Sequence, residues 1–172
     1  YYYEIEYNNY YDIDNYKVAI DFGKAALGVD SSYAEAYGLL SNAYNKLIRR
    51  DETSNWRDSS RTMAFKGLEL DSLCAYCYAG LAKSSENPKE SVFYNEKVLS
   101  IDPSNDMVFF NYMLQVIDGN PYIKDRWKTA IKLIDTWLKY YPEREIYVAT
   151  NLVRLHYFTG NTDLARDYLE PF

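Results

Sequence analysis

Histidine is nearly missing from this sequence, with one in 172 residues, and cysteine is scarce at two. So few nitrogen and sulfur donors cannot build the four-ligand shell of a zinc centre, and no metal site is expected. There are 7 glycines and 5 prolines, too few for collagen-like or linker-like sequence. Neither G-x-x-x-x-G-K-[ST] nor G-x-G-x-x-G occurs, so no loop is built to cradle phosphates and no cofactor is expected. No apolar run approaches the ~20 residues of a membrane span, so no membrane insertion is expected. Basic side chains are the minority, 19 against 25 acidic ones, for a net charge of -6. Binding nucleic acid takes a basic face, so no nucleic-acid partner is expected.

What the chain has is apolar and aromatic matter: 48% hydrophobic residues and 20 tyrosines. That is enough for a core. Helical periodicity runs throughout and no alternating β-type pattern is sustained. Helices are predicted over 1–11, 13–28, 32–49, 55–70, 73–84, 89–101, 104–118, 121–140, 143–159 and 161–170. The chain opens on Tyr1 and closes on Tyr168 to Phe172 after what reads as an unfinished helix. It is therefore expected to be a piece of a longer protein, whose compartment is not legible.

One phrase recurs. Gly28-Val29-Asp30-Ser31 leads into Tyr33-Ala34-Glu35-Ala36-Tyr37, and Glu69-Leu70-Asp71-Ser72 into Cys74-Ala75-Tyr76-Cys77-Tyr78. Ser100-Ile101-Asp102-Pro103 leads into Met107-Val108-Phe109-Phe110, and Tyr140-Tyr141-Pro142 into Ile146-Tyr147-Val148-Ala149. Asp, Ser and Pro at these joints stop one helix and cap or start the next. The anchors Asp30, Asp71, Asp102 and Tyr141 are 41, 31 and 39 residues apart. That spacing is near the period of about 34 residues of a helix-turn-helix repeat.

On these residues the chain resembles the tetratricopeptide repeat (TPR) family over nearly its whole length. Tyr37, Leu40, Ser41 and Tyr44 fall at the aromatic, Leu, small and aromatic positions of a first helix. Asp14-Asn15-Tyr16, Ala19-Ile20 and Ala26-Leu27 match a turn and second helix. Ala149, Leu152, Gly160-Asn161 and Ala165 match in the last pair, and Pro103 and Pro142 close two units. Ser60, Ala64, Gly67 and Asn95 depart from the pattern. The resemblance implies an all-α fold: a right-handed α-solenoid of about five TPR-like helix-turn-helix pairs forming a single array over 1–172. Small residues (Ala19, Ala26, Ala34, Ala75, Ala79, Ala82, Ala130 and Ala165) are expected to let helices approach. Tyr37, Tyr44, Tyr78 and Phe109 are expected to fill the wider seams.

The resemblance also implies a non-catalytic scaffold that binds a protein or peptide segment in a concave groove lined by first helices. Carried over, the lining is Glu35, Asn42, Asn45 and Lys46 in the second pair, and Lys83 with Ala79 in the third. Met107, Phe110 and Leu114 follow in the fourth, and Tyr147, Arg154 and Tyr157 in the fifth. Gly38 stands where the chaperone-binding members carry a clamp lysine, so no terminal-carboxylate clamp is expected. Two other readings stay open. One is a sensory or oligomerisation module of a bacterial adenylate cyclase or winged-helix regulator, whose TPR segments share the phrase at Tyr33 to Leu40. The other is a carbohydrate-binding repeat domain using Tyr147 and Tyr157. Exposed end repeats would let the piece self-associate.

Other constellations read as structural. His156 has no Ser or Cys to serve, and packing explains it. Cys74-Ala75-Tyr76-Cys77 has the spacing of a redox pair at a helix start, with Asp71 and Ser72 placed to cap that helix, but two small buried apolar side chains explain it better. Lys46, Arg49, Arg50, Arg57 and Arg61 form a basic cluster offset by Asp51, Glu52 and Asp58, a solvated turn or a site for an acidic partner. No enzyme activity is expected.

Overall fold

The computed structural model describes residues 13–48 and 55–144, together with 156, 157, 160, 161 and 163. Among them every regular element is helical and there is no strand. The helices are α1 (Ile13–Val29), α2 (Ala34–Leu47), α3 (Trp56–Leu70), α4 (Ala75–Ser84), α5 (Pro88–Ile101), α6 (Asp106–Ile117) and α7 (Arg126–Tyr140), followed by a 3-10 turn at Pro142–Arg144. The chain divides into two compact units, Tyr1–Ile101 and Asp102–Phe172.

Helix spacing decides the packing in the first unit. Helix α3 buries Ser60, Ala64 and Gly67, which fall at i, i+4 and i+7 on one face. Helix α2 packs on α1, α3 and α4, and α4 packs on α2, α3 and α5. Enclosed by three neighbours, α4 buries Cys77, Ala79, Gly80, Leu81, Ala82 and Ser84 in ten residues. Two apolar clusters result. Ile20, Leu40, Tyr44 and Leu47 join α1 to α2, with Trp56 stacked on Tyr44 at 5.6 Å. Ala34, Ala64, Cys74, Cys77 and Leu81 join α2, α3 and α4.

The recurring phrase folds the same way three times. The Asp30 carboxylate accepts from Ser32 N at 2.8 Å, Asp71 from Leu73 N at 2.9 Å and Asp102 from Ser104 N at 3.1 Å. These are Asx turns, in which a short carboxylate replaces backbone partners and ends the helix. Tyr37 and Tyr78 then donate their hydroxyls back to Ser31 O and Ser72 O, both at 3.2 Å. Asp71 and Ser72 thus shape the turn and do not cap α4, whose N-cap position is held by Cys74.

In the second unit α6 buries Val108, Phe109, Tyr112, Met113 and Val116 along one face. Phe109 stacks on Trp137 of α7 at 4.5 Å with the rings nearly parallel. The Trp137 indole N–H donates to Asp106 at 2.8 Å, and the Tyr141 hydroxyl donates to Ser104 O at 3.0 Å. Helix α6 ends in a Schellman turn: Gly119 takes φ +77, Gly119 N donates to Val116 O and Asn120 N to Gln115 O. Gly160-Asn161 repeats it, with φ +81 and bonds to Tyr157 O and His156 O.

Several expectations are corrected. Ala19 and Ala26 are exposed and mediate no close approach, whereas Ala34, Ala79, Ala82 and Ala130 are buried. Helix α7 begins at Arg126 instead of 121, because the Asn120 side chain accepts from Tyr122 N and Asp125 takes a left-handed φ of 46. Asn95 is indeed at a core position, 1% exposed, with neither amide atom hydrogen-bonded. The predicted helices at 1–11 and 161–170 and most of 143–159 lie outside the described residues, as does Ala165.

Candidate functional site on the face shared by α2 and α4

Helices α2 and α4 approach closely because two glycines remove side chains from the seam. A Cβ at Gly38 would lie 2.6 Å from Tyr76 Cβ and 2.8 Å from Cys77 N. A Cβ at Gly80 would lie 2.8 Å from Ser41 Cβ. Backbones this close bring main-chain carbonyls within reach of side chains on the other helix. Asn42 donates to Gly38 O at 2.8 Å and to Tyr76 O at 2.9 Å. Asn45, one turn on, donates to Gly80 O at 2.8 Å. Beneath them the Ser41 and Ser60 hydroxyls pair at 2.9 Å, joining α2 to α3.

Both amides spend their donors on the helix pair and keep an acceptor. Asn42 Oδ1 and Asn45 Oδ1 are buried and have no hydrogen-bond partner. Helical spacing puts Lys46 beside Asn42 and Asn45 on α2, and Lys83 one turn from Gly80 on α4. Lys83 is half-buried and has neither an ion pair nor a hydrogen bond. Burial, and then the neighbouring Lys46 charge, push its amine down to about 7. The face therefore offers an uncompensated amine, and no acidic side chain answers that amine from the described residues.

The expected site residues fall in different places. Glu35 is half-buried in the first turn of α2. Asn42, Asn45, Lys46 and Lys83 come together on the α2–α4 pair. Ala79 is 0% exposed and lines no open surface, which corrects its expected place. In the second unit Phe110 and Leu114 are 47% and 57% exposed, on the side of α6 opposite its buried stripe. Phe110 still meets the Trp137 ring edge-on at 5.5 Å. Met107 belongs to α6, its side chain outside the described residues, as are Tyr147 and Arg154; Tyr157 is exposed.

The basic cluster is divided. Arg57 donates to Ser84 O at 2.7 Å and pairs with Glu86 at 3.2 Å, and Arg61 pairs with Glu90 at 3.7 Å. Both arginines tie α3 to the α4–α5 region and are answered within the chain. Arg49 and Arg50 lie outside the described residues. His156 is buried. Among the described residues no group of acidic, Cys and His side chains could hold a metal, and no helix is long and apolar enough to cross a membrane.

The sequence reading missed the role of Gly38 and Gly80. The available signal was their position one turn inside α2 and α4, with Asn42 and Ser84 one turn further on. No protein-family model and no curated protein matches the chain.

Proposed function

We propose that this chain is a TPR-like helical scaffold, an α-solenoid of helix pairs, that binds an extended protein segment without catalysing a reaction. The observation that carries this reading is Lys83, a half-buried amine with neither an ion pair nor a hydrogen bond. Holding a cation out of water without an anion is costly. An incoming acidic side chain would remove that cost. The packing of α2 on both α3 and α4, and of α4 on both α3 and α5, supports the repeat architecture. So do the three equivalent Asx turns.

Phe110 and Leu114 offer an apolar contact of their own in the second unit. The segment bound at the α2–α4 face is an acidic stretch, distinct from a terminal carboxylate held in a clamp, because Gly38 supplies no clamp amine. Panning a random peptide library against the protein tests this. Enriched peptides should carry Asp or Glu, and Lys83→Gln should weaken them by about tenfold, the worth of one partly desolvated charge pair. Enrichment indifferent to peptide charge and to Lys83 would refute the reading.

A further inference from the structure

Helices α2 and α4 each have a single exposed residue, and neither is charged: Leu39, 51% exposed, and Tyr76, 40% exposed. Solvent-facing positions on a helix are ordinarily polar. The two residues stand at the same level of the seam. Gly38 precedes Leu39, and a Cβ on it would lie 2.6 Å from Tyr76 Cβ. Helix α3 closes the seam from behind, where Ser60 meets Ser41 and Gly67 meets Cys77. Helical register puts Leu39 and Lys46 of α2, and Tyr76 and Lys83 of α4, on the side away from α3.

The seam also fixes direction. Gly38 faces Tyr76, and Ser41 and Asn45 face Gly80, so residue numbers climb together and the helices run parallel. Lys46 follows Leu39 by seven residues, and Lys83 follows Tyr76 by seven. Both helices therefore present an apolar or aromatic side chain at one level and an amine two turns on. At about 1.5 Å of rise per residue the two levels are about 10.5 Å apart. An extended chain rises about 3.3 Å per residue, so about three residues of it span that gap. The two levels differ in charge as well. Glu35 lies one turn before Leu39 on the same stripe and repels an acidic group there. At the other level Lys46 and Lys83 are close enough for their charges to act on each other, and Lys83 has neither an ion pair nor a hydrogen bond.

We propose that the α2–α4 face reads a two-point motif: an aliphatic or aromatic side chain set against Leu39 and Tyr76, three residues along an extended segment from an Asp or Glu set at Lys83. The inference rests on the reading of this face as the partner site and adds what the partner must carry besides its acid. The occupant is an internal stretch of a protein chain, since the match needs both side chains at a fixed separation. The apolar contact supplies affinity, and the spacing supplies selection against acidic segments that lack it.

Short Gly-Ser peptides with blocked ends, each carrying one Leu and one Asp, probe the motif. The separation is one, three or six residues, in both orders, and a peptide with Asp alone is the reference. Binding to the whole chain is followed by chemical-shift titration. Separation three, in one order, should bind about tenfold more tightly than the reference, and separations one and six should gain little. Leu39→Gln and Tyr76→Gln each should remove most of that gain and leave the reference peptide unaffected. Glutamine at 76 keeps the Cβ that meets Gly38 and the carbonyl that Asn42 uses, so the seam is preserved. Lys83→Gln should remove the contribution of Asp at every separation. Binding that depends on Lys83 but is indifferent to separation and to both glutamine variants would overturn the two-point motif and leave the acidic-segment reading standing. Binding that ignores Lys83 would overturn both. Self-association of the chain that either glutamine variant abolishes would make a second copy the occupant and overturn the motif.

Discussion

Asn42 reaches out of α2 and donates to the Tyr76 carbonyl of α4 at 2.9 Å, while its other amide hydrogen stays with Gly38 O of its own helix. One side chain thus closes the seam that Gly38 makes narrow. Asn42→Ala should lower stability by about 1–2 kcal/mol, the worth of lost hydrogen bonds in a part-buried place. Asn42→Asp should cost more, because a carboxylate cannot donate to either carbonyl and faces both. Urea unfolding of the two variants checks the order, and an Asp variant as stable as wild type would contradict it.

Two glycines inside helices should respond in opposite directions. Gly28 has nothing within 4 Å of a built Cβ, whereas at Gly38 a Cβ meets the Tyr76 and Cys77 backbone at 2.8 Å. Gly28→Ala should gain roughly 0.5–1 kcal/mol from helix propensity. Gly38→Ala should lose roughly 2 kcal/mol or more, since backbone cannot move aside as a side chain can. Thermal melts of both variants measure the contrast.

Adjacent phenylalanines on α6 should also separate. Phe109 is 2% exposed and stacked on Trp137, and Phe110 is 47% exposed. Phe109→Ala should cost about 3–5 kcal/mol, as for other buried aromatics. Phe110→Ala should cost ~1 kcal/mol or less and leave the circular dichroism spectrum unchanged. Equal losses would place Phe110 in the core and remove it from the candidate partner surface.

Lys83 gives stability a pH dependence of definite sign. Its amine is held at about 7 in the folded chain against 10.5 for the free side chain. Between those values the unfolded chain binds more protons, so Lys83 makes stability rise with pH across that window. Below about 7 the buried charge exacts its whole penalty. Lys83→Met should therefore be more stable than wild type at pH 6 by on the order of 1–2 kcal/mol, with part of the penalty screened by solvent. The gap should close toward pH 10. A gap that stays constant with pH would show that Lys83 is ionised and solvated throughout.

The helices were legible because apolar spacing of three and four residues marks a buried face whatever that face packs against. The joints were legible too, since Asp30, Asp71 and Asp102 announce a turn by side-chain chemistry alone. The α7 start was not, because Pro121 is compatible with a first helical turn and only the Asn120 and Asp125 geometry shows the chain still turning. Placement of Asn42, Asn45 and Lys83 on the helix pair followed from register. Their bonds did not, because the same asparagine spacing serves a bound peptide or a neighbouring carbonyl equally well. Ala19 misled because a small residue fits a seam and an open surface alike.

Proton uptake on binding tests the proposed face most directly. An acidic peptide selected on the protein is titrated calorimetrically at pH 8 in two buffers of different ionisation enthalpy. A carboxylate arriving at Lys83 restores the charge on its amine, so wild type should take up close to one proton per peptide. Lys83→Gln should bind about tenfold more weakly and take up none. Equal heats in both buffers, with affinity unchanged in Lys83→Gln, would contradict the assignment of this face as the place where a partner binds.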